Sequence, residues 1–277
     1  MLSVNESQRT RPAREGGEDA PSVSGGRFKM RRFFWQDRAG IGQSGIISGT
    51  DARHIRTVLR MKVGDTLAVF DGKGNDYEAE VMAISPDEIR VSPVSRIDFT
   101  VDSPAKITIA QAVLKGKKMD LLARQITELG MTRWAPFFSE RSIPMPSADK
   151  LSGRLERWKT IVIESLKQCQ RSRLTEIRPV SSFEETLKME QQADIKLIFW
   201  EEETRTLSEV LDSAPAECDG IVAVLGPEGG FSEAEIKKAV SLGYKSVSLG
   251  PRVMKAETAT ISVCTLMQYL FGDMDGT

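Results

Sequence analysis

LGPEGGF at residues 225–231 and LGPRVMKAETA at residues 249–259 are the two stretches of sequence that decide the fold. Each follows a short apolar run and precedes a segment with helical periodicity, so both are predicted to be loops between a strand and a helix. Glycine lets the backbone approach a ligand closely, and two such loops about twenty residues apart favour one pocket built from neighbouring strand ends. For either loop alone, a tight turn without a ligand is the competing interpretation.

The flanking residues delimit both units. The apolar run at residues 220–225 is suited to a strand buried on both faces, and Ser232 with Glu235 forms a capping box that opens the next helix. In the second unit, residues 246–249 are predicted as a strand and residues 257–270 as a helix with an apolar stripe. Neither loop matches G-x-G-x-x-G or the P-loop pattern, so neither a Rossmann nucleotide site nor a P-loop is predicted.

These residues resemble the bacterial 16S ribosomal RNA uridine-N3 methyltransferases of the SPOUT, or trefoil-knot, superfamily. In that family the two loops are a G-P-E-G-G segment and an L-G-x-R-I-L-R-x-E-T-A segment, and they wrap S-adenosylmethionine. The first motif is matched in full and the second closely, with Met254 and Lys255 in place of the usual Leu-Arg pair. Gln170 stands where the family commonly has Gly. Further motifs in register lie at residues 30–34, 54–60, 63–65, 115–120, 128–130, 139–142 and 164–171.

The resemblance implies an α/β protein with a small N-terminal PUA-like antiparallel β-barrel, followed by a SPOUT knotted methyltransferase domain. We assign the barrel to residues 30–100 and the methyltransferase domain to residues 101–277. Residues 1–29 contain almost no large apolar side chains and are predicted to be a disordered tail. The knot rests on the resemblance alone, because nothing in the periodicity indicates one.

Local patterns favour the same division of the chain. Short strands separated by turn residues are typical of a small antiparallel barrel, and they are predicted at residues 33–35, 45–47, 66–70, 77–84 and 89–91. After Pro104 strands alternate with helices, which indicates an α/β sheet covered on both faces. The strands of this second part are predicted at residues 106–114, 134–138 and 195–200, and its first helices at residues 118–129 and 151–171.

The implied activity is methylation of uridine N3 in 16S ribosomal RNA with S-adenosylmethionine. The N3 proton must leave, so the site needs a base or a donor set that stabilises the uracil oxyanion. Glu257 and Glu228 are candidates for the base or for cofactor ligands, and Arg252 or Arg171 is the candidate for the oxyanion. The residues expected to bind the cofactor are Leu225, Gly226, Glu228, Gly229, Leu249, Gly250, Met254 and Thr258.

Charge distribution points to RNA binding by the first domain. A formal net charge of −1 argues against a protein that coats nucleic acid indiscriminately, but cations are concentrated in residues 27–62. Three arginines there are spaced to share one face of a helix after Thr50, although such a stripe is as often only a solvated face. A lone histidine is usually structural, but the resemblance makes His54 a candidate for base stacking or a phosphate hydrogen bond. The residues expected to contact RNA are Arg31, Arg32, Arg53, His54, Arg56 and Arg60.

Composition limits the remaining choices. No run approaches the ~20 apolar residues that span a bilayer, and the start lacks the apolar core of a signal peptide. Cys169, Cys218 and Cys264 have no metal-ligand spacing, so we expect no metal and a reduced, cytoplasmic protein. The resemblance adds a homodimer and the small ribosomal subunit as partner. Two alternatives stay open, namely methylation of another RNA position and an inert RNA-binding protein with the same fold.

Overall fold

The computed structural model describes residues 30–35, 41–98, 101–142, 147–212 and 218–275. The tail predicted at residues 1–29 lies outside these residues, and the domain boundaries stay predictions. None of the described helices combines the length and the apolar character needed to cross a bilayer. In the same residues, no three His, Cys, Asp or Glu side chains are grouped so that they could hold a metal ion.

The first part of the chain forms a five-stranded sheet with the order β1-β3-β4-β5-β2. β1 runs parallel to β3 and the other pairs are antiparallel, so the prediction of a purely antiparallel barrel is wrong for this one pair. The path of strand pairs does not close on itself in the described residues. The strands are β1 (Arg32–Phe34), β2 (Gly45–Ser48), β3 (Thr66–Phe70), β4 (Asp76–Ile84) and β5 (Glu88–Ile97).

The helix predicted after Thr50 is short and changes its winding. α1 (Gly49–Arg53) continues into a π-helical turn over His54–Val58, and Arg60 follows with a left-handed backbone at φ 53°. A π turn bonds residues five apart, which breaks the α-helical spacing of side chains. The expectation that Arg53, Arg56 and Arg60 share one helical face is therefore wrong, because Arg60 lies beyond the helix.

The second part is a seven-stranded parallel sheet with the order β12-β10-β11-β6-β7-β8, and β9 also pairs with β7. Its central strands are buried along their whole length, as expected for a parallel sheet covered on both faces. In chain order its elements are β6 (Ile107–Ala112), α2 (Lys118–Glu128), β7 (Arg133–Phe138), α3 (Ala148–Cys169), β8 (Glu176–Ile177), β9 (Ser181–Ser182), α4 (Phe183–Met189), β10 (Ile195–Phe199), α5 (Leu207–Leu211), β11 (Ile221–Leu225), α6 (Glu233–Ser241), β12 (Lys245–Val247) and α7 (Ala256–Phe271).

Helices cover both faces of this sheet, which confirms the predicted layering. One apolar cluster joins the sheet to α2, α3, α5 and α7, and a second joins the opposite face to α4 and α6. The capping box expected before α6 is present, with the Ser232 hydroxyl accepting the N–H of Glu235 and the Glu235 carboxylate accepting the N–H of Ser232. Because helix and strand signals agree locally, these elements form where the sequence places them.

The two sheets are joined by a buried contact with α3 and the segment that follows it. Phe70 packs against Val162 and Leu166 of α3. Beside them, Arg32 forms a buried ion pair with Asp76, and the Ser172 hydroxyl bonds to both side chains. An ion pair and apolar packing therefore both lie at the junction between the first sheet and the parallel sheet.

Candidate active site

A cavity of about 830 Å³ opens at the carboxyl ends of β10, β11 and β12. These three strands are neighbours and parallel, so the loops that leave them converge at one edge of the sheet. The walls come from Lys118 and from residues within three loops, 199–206, 225–230 and 248–259. The two glycine-rich loops predicted to share a pocket therefore do so, and the loop after β10 is a third wall that the sequence did not single out.

Most of the expected cofactor residues lie in this wall. Gly229 and Thr258 do not. Gly229 faces Arg141 instead, whose guanidinium donates to the Gly229 carbonyl at 3.0 Å. The residues placed in the wall are Leu225, Gly226, Glu228, Leu249, Gly250 and Met254.

Gly230 is the residue of the first loop for which glycine is required. Its φ is +69°, and a Cβ built there would lie 1.9 Å from a carboxylate oxygen of Glu201. Side chains rarely adopt that backbone conformation, so the loop turns into the cavity only with glycine at this position. At Gly229 φ is not positive, and an added Cβ would approach the Arg141 Cβ to 3.1 Å.

Lys118 connects two walls of the cavity. Its ammonium donates to Glu228 at 3.0 Å and lies 3.2 Å from a carboxylate oxygen of Glu257, although the second contact lacks hydrogen-bond direction. Glu228 also accepts the backbone N–H of Lys115 at 3.1 Å. One cation thus ties the first glycine-rich loop to the start of α7.

This arrangement keeps all three groups charged. The hydrogen bond to Glu228 and the ion pair with Glu257 raise the pKa of Lys118. Burial opposes ionisation of Glu228, but the bonds from Lys118 and the Lys115 N–H outweigh it and lower the pKa of Glu228. The pKa of Glu257 is lowered by its own backbone N–H and then by Lys118. Both carboxylates are therefore weak proton acceptors near neutral pH.

Glu203 adds a third permanent negative charge to the wall. Burial opposes its ionisation, but hydrogen bonds from the backbone and side chain of Arg205 and from the Thr204 N–H lower the pKa of Glu203 to about 2. Sequence reasoning missed Glu203 because it lies in an acid-rich stretch in which no carboxylate differs from its neighbours.

Gln111 connects the first glycine-rich loop to α7 through hydrogen bonds. This fully buried side chain on β6 donates to the Gly226 carbonyl at 3.1 Å, and its amide oxygen accepts the hydroxyl of Thr260 on α7. A satisfied buried amide fixes the elements it joins, so Gln111 sets the spacing between the first loop and α7. The sequence signal for Gln111 was a polar side chain within the largely apolar run 107–114.

The two arginines expected at the oxyanion have different surroundings. Arg252 is exposed in the wall of the cavity, and no carboxylate among the described residues lies within ion-pair distance of it. Arg171 is buried away from the cavity, where it pairs with Asp102 at 3.0 Å and donates to the Thr127 carbonyl at 2.6 Å. The assignment of Arg171 to catalysis is therefore corrected to a structural role.

The residues expected to bind RNA also differ in their exposure to solvent. Arg32 is buried with Asp76 and cannot reach a phosphate, so its assignment is corrected. Arg31, Arg53 and Arg60 are exposed. Arg56 and His54 are half-buried, and the His54 ring lies 6.4 Å from that of Phe33.

Comparison with protein families adds two matches. The family profile described as an RNA methyltransferase domain matches residues 101–268, and one described as an RNA methyltransferase PUA domain matches residues 47–94. Ribosomal RNA small subunit methyltransferase E of Buchnera aphidicola subsp. Schizaphis graminum is 30% identical over 228 residues, covering 82% of this chain and 91% of its own length. Its counterpart in Bacillus subtilis is 28% identical, covering 80% and 89%.

Solved structures give the same picture. Ribosomal RNA small subunit methyltransferase E from Neisseria gonorrhoeae, crystallised with S-adenosyl methionine, has a TM-score of 0.79 at 28% identity and covers 88% of this chain and 99% of its own. A putative methyltransferase from Legionella pneumophila, in complex with the same cofactor, has a TM-score of 0.79 at 29% identity, covering 89% and 100%.

Proposed function

This chain belongs to the RNA methyltransferase family, and we propose that it methylates N3 of a uridine in 16S ribosomal RNA with S-adenosylmethionine as methyl donor. The observation that carries the proposal is the cavity at the carboxyl edge of the parallel sheet, with both glycine-rich loops in its wall. The acceptor atom rests on the resemblance of these loops to the uridine-N3 family. Because the substrate is ribosomal RNA, we place the protein in the cytoplasm.

The residues of the cavity fit this cofactor. S-adenosylmethionine supplies, when bound, an electrophilic methyl group on a positively charged sulfonium. Glu203, Glu228 and Glu257 provide the negative charge that complements a cation and accepts hydrogen bonds from hydroxyl and amino groups. The apolar side chains Leu225 and Leu249 offer contacts for an aromatic ring.

The start of α7 fits a carboxylate. Its N-cap residue, Lys255, makes no side-chain capping bond, so N–H groups of the first turn are available to an anion. The positive end of a sixteen-residue helix favours the same charge. We therefore assign the cofactor's carboxylate to this helix end.

Proton removal from N3 is assigned to solvent assisted by a cation. Glu228 and Glu257 are held as weak bases by Lys118, so we propose that they position the loops and bind cofactor. Negative charge develops on the uracil oxygens as the proton leaves, and we propose that it is stabilised by Arg252, a cation of the cavity wall with no ion pair among the described residues.

A knotted carboxyl-terminal segment and a homodimer complete the proposal. Apolar side chains are exposed on two helices that pack against each other, Leu121 on α2 and Tyr269 on α7. A second subunit would cover such a surface. Light scattering at micromolar concentration tests it, with a mass twice that of the chain expected.

The proposed activity is tested by calorimetry with S-adenosylmethionine, followed by transfer of labelled methyl to purified small ribosomal subunits. We expect a one-to-one complex and label in the RNA. A protein that binds the cofactor but labels only other RNA would redirect the proposal to another substrate. Absence of cofactor binding would support the inert RNA-binding alternative instead.

A further inference from the structure

The segment Lys115-Gly116-Lys117-Lys118 carries three lysines that do two different things. Lys118 lies in the cavity wall between two carboxylates. Lys115 and Lys117 are exposed, and in the described parts of the chain no carboxylate lies within ion-pair distance of either. Gly116, at φ +65°, turns the backbone between them. Two charges of this segment are therefore available to a partner in solution.

These two lysines lie at the mouth of the cavity. The backbone N–H of Lys115 donates to Glu228, a residue of the cavity wall, at 3.1 Å. Because neighbouring Cα atoms are about 3.8 Å apart, Lys117 lies within about 8 Å of that anchor point along the chain. The segment follows β6, so it leaves the sheet at the edge where the cavity opens.

A third cation extends the same surface. Arg141, in the turn after β7, is exposed and donates one N–H to the Gly229 carbonyl at 3.0 Å. Its guanidinium keeps further donors for an anion. Lys115, Lys117 and Arg141 thus follow two neighbouring strands, β6 and β7, at the carboxyl edge of the sheet.

RNA chemistry at an enclosed atom requires such a surface. An enzyme reaches a base in a cavity if the nucleotide is single-stranded or extruded from its stack, and the phosphates on either side then stay at the entrance. Lysine and arginine contacts to phosphate supply affinity without reading sequence. On the basis of the proposed function, we propose that Lys115, Lys117 and Arg141 form a second RNA-contact surface that holds the phosphates next to the target nucleotide.

The test compares Lys115→Ala/Lys117→Ala with the wild type on small ribosomal subunits and on a 16S ribosomal RNA transcript. RNA affinity is measured against salt, cofactor affinity by calorimetry, and stability by melting temperature. Loss of two phosphate contacts should reduce the slope of log affinity against log salt by about 1.4 and weaken binding about tenfold at low salt. The Michaelis constant for RNA should rise, whereas the turnover rate at saturating RNA, the cofactor affinity and the melting temperature should not change.

Matched variants separate this surface from general charge effects. Lys106→Ala removes the same charge as Lys117→Ala, but Lys106 is exposed just before the amino end of β6, at the opposite edge of the sheet. Lys106→Ala should leave the slope of log affinity against log salt unchanged. The double variant Lys115→Arg/Lys117→Arg keeps both charges and should have the wild-type slope. An unchanged slope in the double alanine variant, or an equal change in Lys106→Ala, would overturn the inference while wild-type methyl transfer persists. A wild type that transfers no methyl group to RNA would overturn the proposed function itself.

Discussion

Lys118 determines how the cavity is held together at the scale of single side chains. It bonds to Glu228 and contacts Glu257, and these residues belong to loops that have no other charged link between them in the described residues. A hydrogen bond to a charged group contributes about 1.5–3 kcal/mol, more than a neutral one. Together with Gln111, the cation therefore sets the distance between the first glycine-rich loop and α7, and with it the shape of the cavity.

Replacing this cation should weaken cofactor binding. In Lys118→Met the two carboxylates repel each other, and we expect binding about tenfold weaker, equal to about 1.4 kcal/mol, by calorimetry. Lys117→Met is the matched control, because its side chain is exposed and no ion pair with it occurs in the described residues. Equal cofactor affinity in Lys118→Met and the wild type would show that the bridge does not shape the site.

The same variant should change acid stability. The folded-state pKa values of Glu228 and Glu257 are lowered, so their contribution is present above the ordinary carboxyl pKa and is lost as pH falls through the folded values. Without Lys118 these pKa values rise toward the unfolded ones, so the variant should be less stable near neutral pH but should lose less stability than the wild type as pH falls. Melting temperatures between about pH 3 and 6 measure the shift. A curve that coincides with that of Lys117→Met would contradict it.

Glycine is required at Gly230 more than at Gly229. Gly230→Val combines a positive φ with a branched side chain beside the cavity, so it should cost about 1–2 kcal/mol of stability and weaken cofactor binding. Gly229→Val presses on Arg141 outside the wall, and should leave cofactor affinity within a few-fold of wild type. Denaturant unfolding and calorimetry on both variants distinguish them. A greater loss of cofactor affinity in Gly229→Val than in Gly230→Val would support the expectation that Gly229 binds the cofactor.

The sequence predicted which loops form the cavity but not which side chains connect those loops. Glu228 and Glu257 were identified because they belong to the two motifs. The role of Lys118 was not, because it pairs with Glu228 across 110 residues, and no local pattern records such a contact. Arg32 and Arg171 were misassigned for a related reason. The sequence does not distinguish an arginine in a buried ion pair from an exposed arginine.

At the scale of elements, strand and helix positions followed from periodicity, whereas strand partners did not. The buried strands β6, β10 and β11 were predicted within a few residues. The parallel pairing of β1 with β3 and the two-residue strands β8 and β9 were not, because alternation along a strand carries no information about its neighbour. The π turn after Arg53 was also missed, since an apolar residue every third or fourth position fits either winding.

The turn at the end of α3 is made by Gln170, where the resemblance predicts glycine. Gln170 follows the helix with φ 66°, the left-handed conformation that glycine adopts at low cost. Gln170→Gly should therefore stabilise the protein by about 1 kcal/mol and raise the melting temperature by about 2–4 °C. Gln168→Gly, two residues earlier inside the helix, should destabilise it instead. A lower melting temperature for Gln170→Gly would show that its side chain stabilises the turn.

At the scale of the whole molecule, a buried junction joins the first sheet to the methyltransferase domain. Their junction contains the buried Arg32–Asp76 pair, which bonds to Ser172 after α3. The sequence predicted two parts but gave no means to orient them, because the residues that join them are separated by 96 residues between Asp76 and Ser172.

Variants of two neighbouring arginines distinguish a role in this junction from a role in RNA binding. Arg32→Met leaves Asp76 buried without its cation and should cost about 3–5 kcal/mol of stability in denaturant unfolding. Arg31→Ala removes an exposed charge, so stability should change by less than about 0.5 kcal/mol while RNA affinity falls. A stable Arg32→Met protein with reduced RNA affinity would place Arg32 in the RNA interface.

The central claim, methylation of a uridine at N3, is tested most directly by mapping the product. Small ribosomal subunits are incubated with the protein and S-adenosylmethionine, the 16S ribosomal RNA is digested, and the modified nucleoside is identified by mass spectrometry against synthetic 3-methyluridine. We expect one new methyl group per RNA, on N3 of a single uridine, and slower formation of it with Gly230→Val. A methyl group on another base, on another atom of uracil or on ribose would contradict the claim.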